Sequence, residues 1–63
     1  MNQIKIGKFI AECRKKSNLT QMQLAEKLNI TDRAISKWEN GIAKPTTNNI
    51  KLIINFFFIV TTF

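Results

Sequence analysis

The sequence predicts an all-α fold, a compact bundle of four to five short helices, on three observations. Apolar residues recur at i, i+3, i+4, i+7 near both ends of the chain, the spacing of one helix face. Between them, Thr20 to Glu39 reads as two short helices joined by a tight turn. Residues suited to ending helices, Asn18, Asn29, Gly41 and Pro45, fall at the ends of the periodic runs.

The first helix is expected over roughly Ile4 to Lys16. Ile6, Phe9, Ile10 and Cys13 form its apolar stripe, with Lys8, Glu12, Lys15 and Lys16 opposite. Cys13 belongs to the stripe and reads as a small buried apolar group. Ser17-Asn18 closes this helix, since Asn tolerates the left-handed conformation. Thr20 then caps the second helix, and Gln23 three residues on completes a capping box. Leu19 facing Leu24 makes a hydrophobic staple, and Leu24, Ala25 and Leu28 supply the buried face. A small residue at Ala25 suits a close helix crossing.

Asn29 is the turn, at a position that needs positive φ. Ile30 plugs the core beneath it, Thr31 caps the third helix, and Asp32 complements that helix's dipole. Ile35 and Trp38, three apart, point inward. Asp32, Arg33, Ser36, Lys37 and Asn40 define the outward face, and Gly41 stops the helix. After Lys44-Pro45, Thr46 or Thr47 caps a fourth helix whose stripe is Ile50, Ile53, Ile54 and Phe57. There the pattern degrades, because Leu52, Phe56, Phe58, Ile59 and Val60 lie outside that stripe.

Composition bounds the function. The chain has 63 residues, 44% of them apolar, and a net charge of +6. That is room for one domain, expected over 4–60 with the helix-turn-helix at 20–39 and a tail at 61–63. A domain this small buries only about 60% of the surface its unfolded chain exposes. One cysteine permits no internal disulfide and fits a reducing, cytoplasmic setting. A balance of 10 Lys+Arg against 4 Asp+Glu favours polyanionic partners. Met1 to Lys8 lacks the apolar run of a signal peptide. The oily stretch Leu52 to Val60 falls far short of the roughly 20 residues that cross a membrane. There is no histidine, and the four carboxylates, Glu12, Glu26, Asp32 and Glu39, sit in separate segments. The expectation is therefore no enzyme, no metal, no cofactor, no membrane and no small-molecule ligand.

The run IGKFIAECRKKSNLTQMQLAEKLNITDRAISKWENGIAKP, Ile6 to Pro45, resembles the Cro/C1-type (Xre) helix-turn-helix regulators of phages and Gram-positive bacteria. It covers about two thirds of the chain, and the combination LTQ-x-x-LA, ITDRAISKWENG, KP carries it. The resemblance implies a lambda-repressor-like DNA-binding domain that lays its third helix in the major groove of double-stranded DNA. It makes Asp32, Arg33, Ser36 and Lys37 base-edge readers, and Gln21, Asn40 and Lys44 phosphate contacts. Arg33 and Lys37 suit the O6 and N7 acceptors of guanine, while Asp32 either accepts from cytosine N4 or serves as a dipole charge. The resemblance also pairs Arg14 with Glu39 inside the domain, as a structural ion pair. It implies a transcriptional regulator, with repression favoured over activation but both left open, and a homodimer as one open form. The alternatives from a different class are an antitoxin-like protein-interaction module and a non-functional fragment of a regulator.

After Pro45 the match thins. Position by position, the resemblance implies that Ile59 fills the core slot after helix 4. The run FFFIVTTF has three readings: a dimerisation surface, a truncated or frame-shifted end, or a membrane-surface anchor. An uncharged window with three consecutive Phe is an aggregation hazard wherever it is exposed, so Phe58→Lys is expected to improve solubility.

Overall fold

A computed structural model describes residues 2–62, with side chains through residue 60. Four helices follow one another: α1 (Gln3–Lys16), α2 (Gln21–Leu28), α3 (Asp32–Glu39) and α4 (Thr47–Thr62). No strand occurs among the described residues, and the all-α expectation is met with four helices.

Each helix begins on a side-chain cap that satisfies an otherwise unpaired amide. Asn2 Oδ1 accepts from the Lys5 amide at 2.8 Å, and Thr31 Oγ1 from the Ala34 amide at 3.2 Å. Thr20 Oγ1 accepts from the Gln23 amide at 3.0 Å while Gln23 Oε1 accepts from the Thr20 amide at 2.9 Å, completing the capping box. Of the two candidate threonines, Thr46 is the cap of α4, its Oγ1 accepting from the Asn49 amide at 3.3 Å, and Thr47 is the first helical residue.

The first three helices end alike. Asn18 and Asn29 both have φ of 58°, and Gly41 has φ of 73°. These left-handed residues let the next amide reach back to the last turn: Leu19 donates to the Arg14 carbonyl at 3.1 Å, Ile30 to that of Ala25 at 2.9 Å, and Ile42 to that of Lys37 at 2.9 Å. The sharp bend at Asn29 separates α2 from α3 and creates the helix-turn-helix.

The core draws Ile6 and Ile10 from α1, Leu24, Ala25 and Leu28 from α2, Ile35 and Trp38 from α3, and Ile53 and Phe57 from α4. Ile10, Leu24 and Ile35 are fully enclosed, each worth about 1.5–3 kcal/mol of transfer free energy. Leu19, Ile30 and Cys13 pack half-buried against this cluster, and burial pushes the Cys13 thiol up from its ordinary pKa.

Three expected core residues are exposed instead. Phe9 is 51% exposed, Ile54 54% and Ile59 50%, while Ile50 is only half-buried. Helical spacing puts residues on one face but does not say how much of that face a neighbour covers. Here α1 and α4 leave an apolar groove of about 290 Å³ between them, lined by Phe9, Ile50, Ile54 and Pro45 among others. The uncharged segment after Phe56 continues α4 through Thr62, so residues 61–62 of the expected tail are helical. Phe63, the last residue of that tail, lies outside the described residues. No helix among the described residues is long and apolar enough to cross a membrane.

Candidate nucleic-acid interface

The candidate surface lies on α3, whose outer face follows from what holds its inner one. Ile35 and Trp38 lie inward against α1 and α2. Asp32, Arg33 and Lys37 are consequently exposed, with Ser36 half-buried beside them. All four share one side of an eight-residue helix that begins at the bend. Asn40 follows at its end, exposed, and its Nδ2 donates to Ser36 Oγ at 3.3 Å. Lys44 is exposed in the loop leading to α4.

Two devices press α3 onto the rest of the domain. The first is an ion pair. Arg14 Nε donates to Glu39 Oε2 at 2.7 Å and Arg14 Nη2 to Glu39 Oε1 at 2.9 Å, a bidentate match of planar groups. The side chains are 13% and 7% exposed. Arg14 Nη1 also donates to the Leu19 carbonyl at 2.9 Å, and Gln21 Nε2 to Glu39 Oε1 at 3.1 Å. Burial works to raise the Glu39 pKa, but it is outweighed by hydrogen bonds from Arg14 and Gln21 and by the charges of Arg14 and Lys15. The carboxylate is held below its ordinary range, and the Glu39 hydrogen bond raises Arg14 correspondingly.

The second device was not legible as function. Gly7 is buried in α1 against the end of α3, and a Cβ there would collide with the carbonyl oxygen of Trp38. The glycine allows backbone to touch backbone. Its sequence signal was available, because Gly inside a helix costs about 1 kcal/mol relative to Ala and so calls for a packing reason. Beside it, Gln3 Nε2 donates to the Gly41 carbonyl at 2.6 Å, tying the start of α1 to the turn after α3.

The structure thus gathers Asp32, Arg33, Ser36, Lys37 and Asn40 on one helix and its end, with Lys44 in the loop that follows. Gln21 stands apart in one respect, since its carboxamide is already engaged with Glu39. No group of acidic, cysteine or histidine side chains suited to a metal ion occurs among the described residues.

An α-helix presented this way, braced on one side and cationic on the other, defines a helix-turn-helix domain. The helix-turn-helix family profile matches residues 10–62. The chain is 46% identical over 48 residues to the HTH-type transcriptional activator BcrR of Enterococcus faecalis, covering 76% of this chain and 24% of that protein. It is 33% identical over 58 residues to the HTH-type transcriptional regulator ImmR of Bacillus subtilis (strain 168), covering 92% of this chain and 46% of that protein. It is also 37% identical over 54 residues to the Type II methyltransferase M.SsoII of Shigella sonnei, covering 81% of this chain but 14% of that protein. The chain therefore spans less than half the length of each of these relatives. No solved structure matches it. The chain belongs to the Cro/C1-type (Xre) helix-turn-helix family of DNA-binding transcription regulators.

Proposed function

We propose that this domain reads a specific sequence in double-stranded DNA and controls transcription by occupying it. One observation carries the proposal: exposed Asp32, Arg33 and Lys37, with half-buried Ser36 beside them, lie on α3 opposite the buried Ile35 and Trp38. The groove-facing side is fixed by the core behind it, so its side chains meet base edges in a defined register. Arg33 takes the bidentate role at guanine, and Lys37 contacts a second acceptor one turn on. Gln21, Asn40 and Lys44 hold phosphates and set orientation without reading sequence. The match to a methyltransferase takes in the helix-turn-helix and 14% of that protein, which supports DNA recognition rather than catalysis as the shared property.

Repression is the direct consequence where the bound site overlaps a promoter. The working form is a homodimer, in which two copies read half-sites about 34–36 Å apart. Supporting it, Leu52, Ile54 and Ile59 on α4 are exposed, an apolar excess that pairing would cover. A protein-interaction role, as in an antitoxin, rests on the same exposed groups.

A salt titration separates the two. DNA binding that displaces counterions weakens steeply between about 50 and 200 mM salt. A fluorescent duplex pool enriched by binding should show that dependence, together with a two-fold symmetric consensus. Salt-independent binding, or no enrichment, excludes the DNA-reading role.

A further inference from the structure

The Arg14–Glu39 pair holds the domain together, yet its hydrogen-bond inventory exceeds what a staple requires. Glu39 offers two acceptor oxygens and no donor. Oε2 is taken by Arg14 Nε, whereas Oε1 receives both Arg14 Nη2 and Gln21 Nε2, at 2.9 and 3.1 Å. Gln21 is the first residue of α2, and Glu39 is the last of α3. One carboxylate therefore joins α1, the recognition helix and the leading end of the helix in front of it.

That third bond has a chemical consequence for Gln21. A carboxamide has a nitrogen with two hydrogens and an oxygen with none. An acceptor-only neighbour dictates which way the amide faces: nitrogen toward Glu39, one hydrogen committed, the second left to donate. A phosphate, also an acceptor, needs that second hydrogen and is repelled by the amide oxygen. Free in solution, the side chain would sample both faces and several rotamers. Held by Glu39, it is pre-set for an anion, and the ordering cost at binding is reduced. The main-chain amides of Gln21 and Met22, in the first turn, have no intrahelical acceptor and converge on the same end of α2. Arg14 contributes a second effect, since it neutralises a carboxylate that would otherwise oppose a phosphate nearby.

We propose that Glu39 is a positioning residue for DNA binding, acting through Gln21, in addition to stapling the fold. This rests on the DNA-reading role given above. Glu39 touches no nucleic acid itself. The prediction is coupling: the binding contribution of Gln21 exists only while Glu39 holds it.

The test is a cycle on the enriched duplex, with far-UV circular dichroism confirming the folded state at the assay temperature. Its members are the wild-type chain, Gln21→Ala, the apolar pair Arg14→Met with Glu39→Met, and the triple variant. The apolar pair leaves net charge unchanged, by losing one positive and one negative group, and avoids stranding a buried charge. Gln21→Ala should weaken binding about tenfold on all sequences alike, as loss of one hydrogen bond to a charged group does. The apolar pair should weaken it to the same extent, and adding Gln21→Ala to it should cost nothing more. A pair variant that binds like wild type, or losses that multiply in the triple variant, overturns the proposal. A wild-type chain that binds no duplex overturns this proposal and the DNA-reading role together, so the two failures are distinguishable.

A second measurement needs no substitution. In the wild-type chain, the Gln21 side-chain amide signals in a nitrogen–proton correlation spectrum should move as acid protonates Glu39, the carboxylate that faces them beside Arg14 and Lys15. Signals indifferent to that titration would show the bond is not made in solution and overturn the proposal even if the apolar pair fails to fold.

Discussion

The helix-turn-helix half of this molecule and its last helix solve the same packing problem with opposite success. From α1 to Gly41 most groups have a place, with three helices capped, three ended by a left-handed residue and one bidentate ion pair, and only Ile4, Phe9 and Met22 among its large apolar groups are exposed. In α4 the apolar groups outnumber the places available. Ile53 and Phe57 are buried, while Leu52, Ile54, Phe58, Ile59 and Val60 are exposed. A helix apolar on nearly all sides is normally enclosed on all sides. The contrast teaches that the surface proposed to read DNA is specified by local rules, whereas the surface of α4 is specified by whatever covers it.

Breaking the ordered half should cost the most. Glu39→Ala leaves the half-buried Arg14 guanidinium without its carboxylate and should destabilise the domain by about 3 kcal/mol, read from urea unfolding. Gly7→Ala should cost about 1–3 kcal/mol, because the new methyl group must push backbone from backbone at Trp38. A value near zero would mean α1 slides freely over the end of α3. Thr20→Ala removes the capping box and should cost about 1 kcal/mol. At the other extreme, Phe58→Lys should change stability by less than about 0.5 kcal/mol, since Phe58 is 68% exposed, while raising solubility. Unfolding by this change would mean the ring is held in a dimer, and light scattering would show it.

Acid sharpens the same comparison. Because the folded-state pKa of Glu39 is depressed, its contribution is fully present above the ordinary carboxylate value of about 4.3 and lost as pH falls through the lower folded value. Stability should therefore drop on acidification below about pH 4. The drop should be smaller in the variant carrying Arg14→Met with Glu39→Met, whose core has no carboxylate to protonate.

Much of the ordered half was legible because its signals are local. Thr20 with Gln23, Asn18, Asn29, Thr31 and Gly41 each announce a cap or a helix end within four residues, and the structure places each there. What escaped depends on distance. Nothing in an 18-residue spacing says that Gln21 meets Glu39, nor does Gly7 reveal which carbonyl it touches. Phe9 and Ile54 sit on correct helix faces but beside a groove, since periodicity identifies a face and not its cover. The β-prone segment Ile59 to Thr62 became helix by continuing a helix already nucleated and packed through Ile53 and Phe57.

The central claim is that the outer side of α3 reads bases while its inner side is fixed by the core. Comparing the sequences enriched by the wild-type chain and by Arg33→Ala tests it most directly. Arg33→Ala should lose preference at one position in each half-site, costing about 1–3 kcal/mol there and leaving the other positions intact. An unchanged consensus from a folded Arg33→Ala protein would contradict the account.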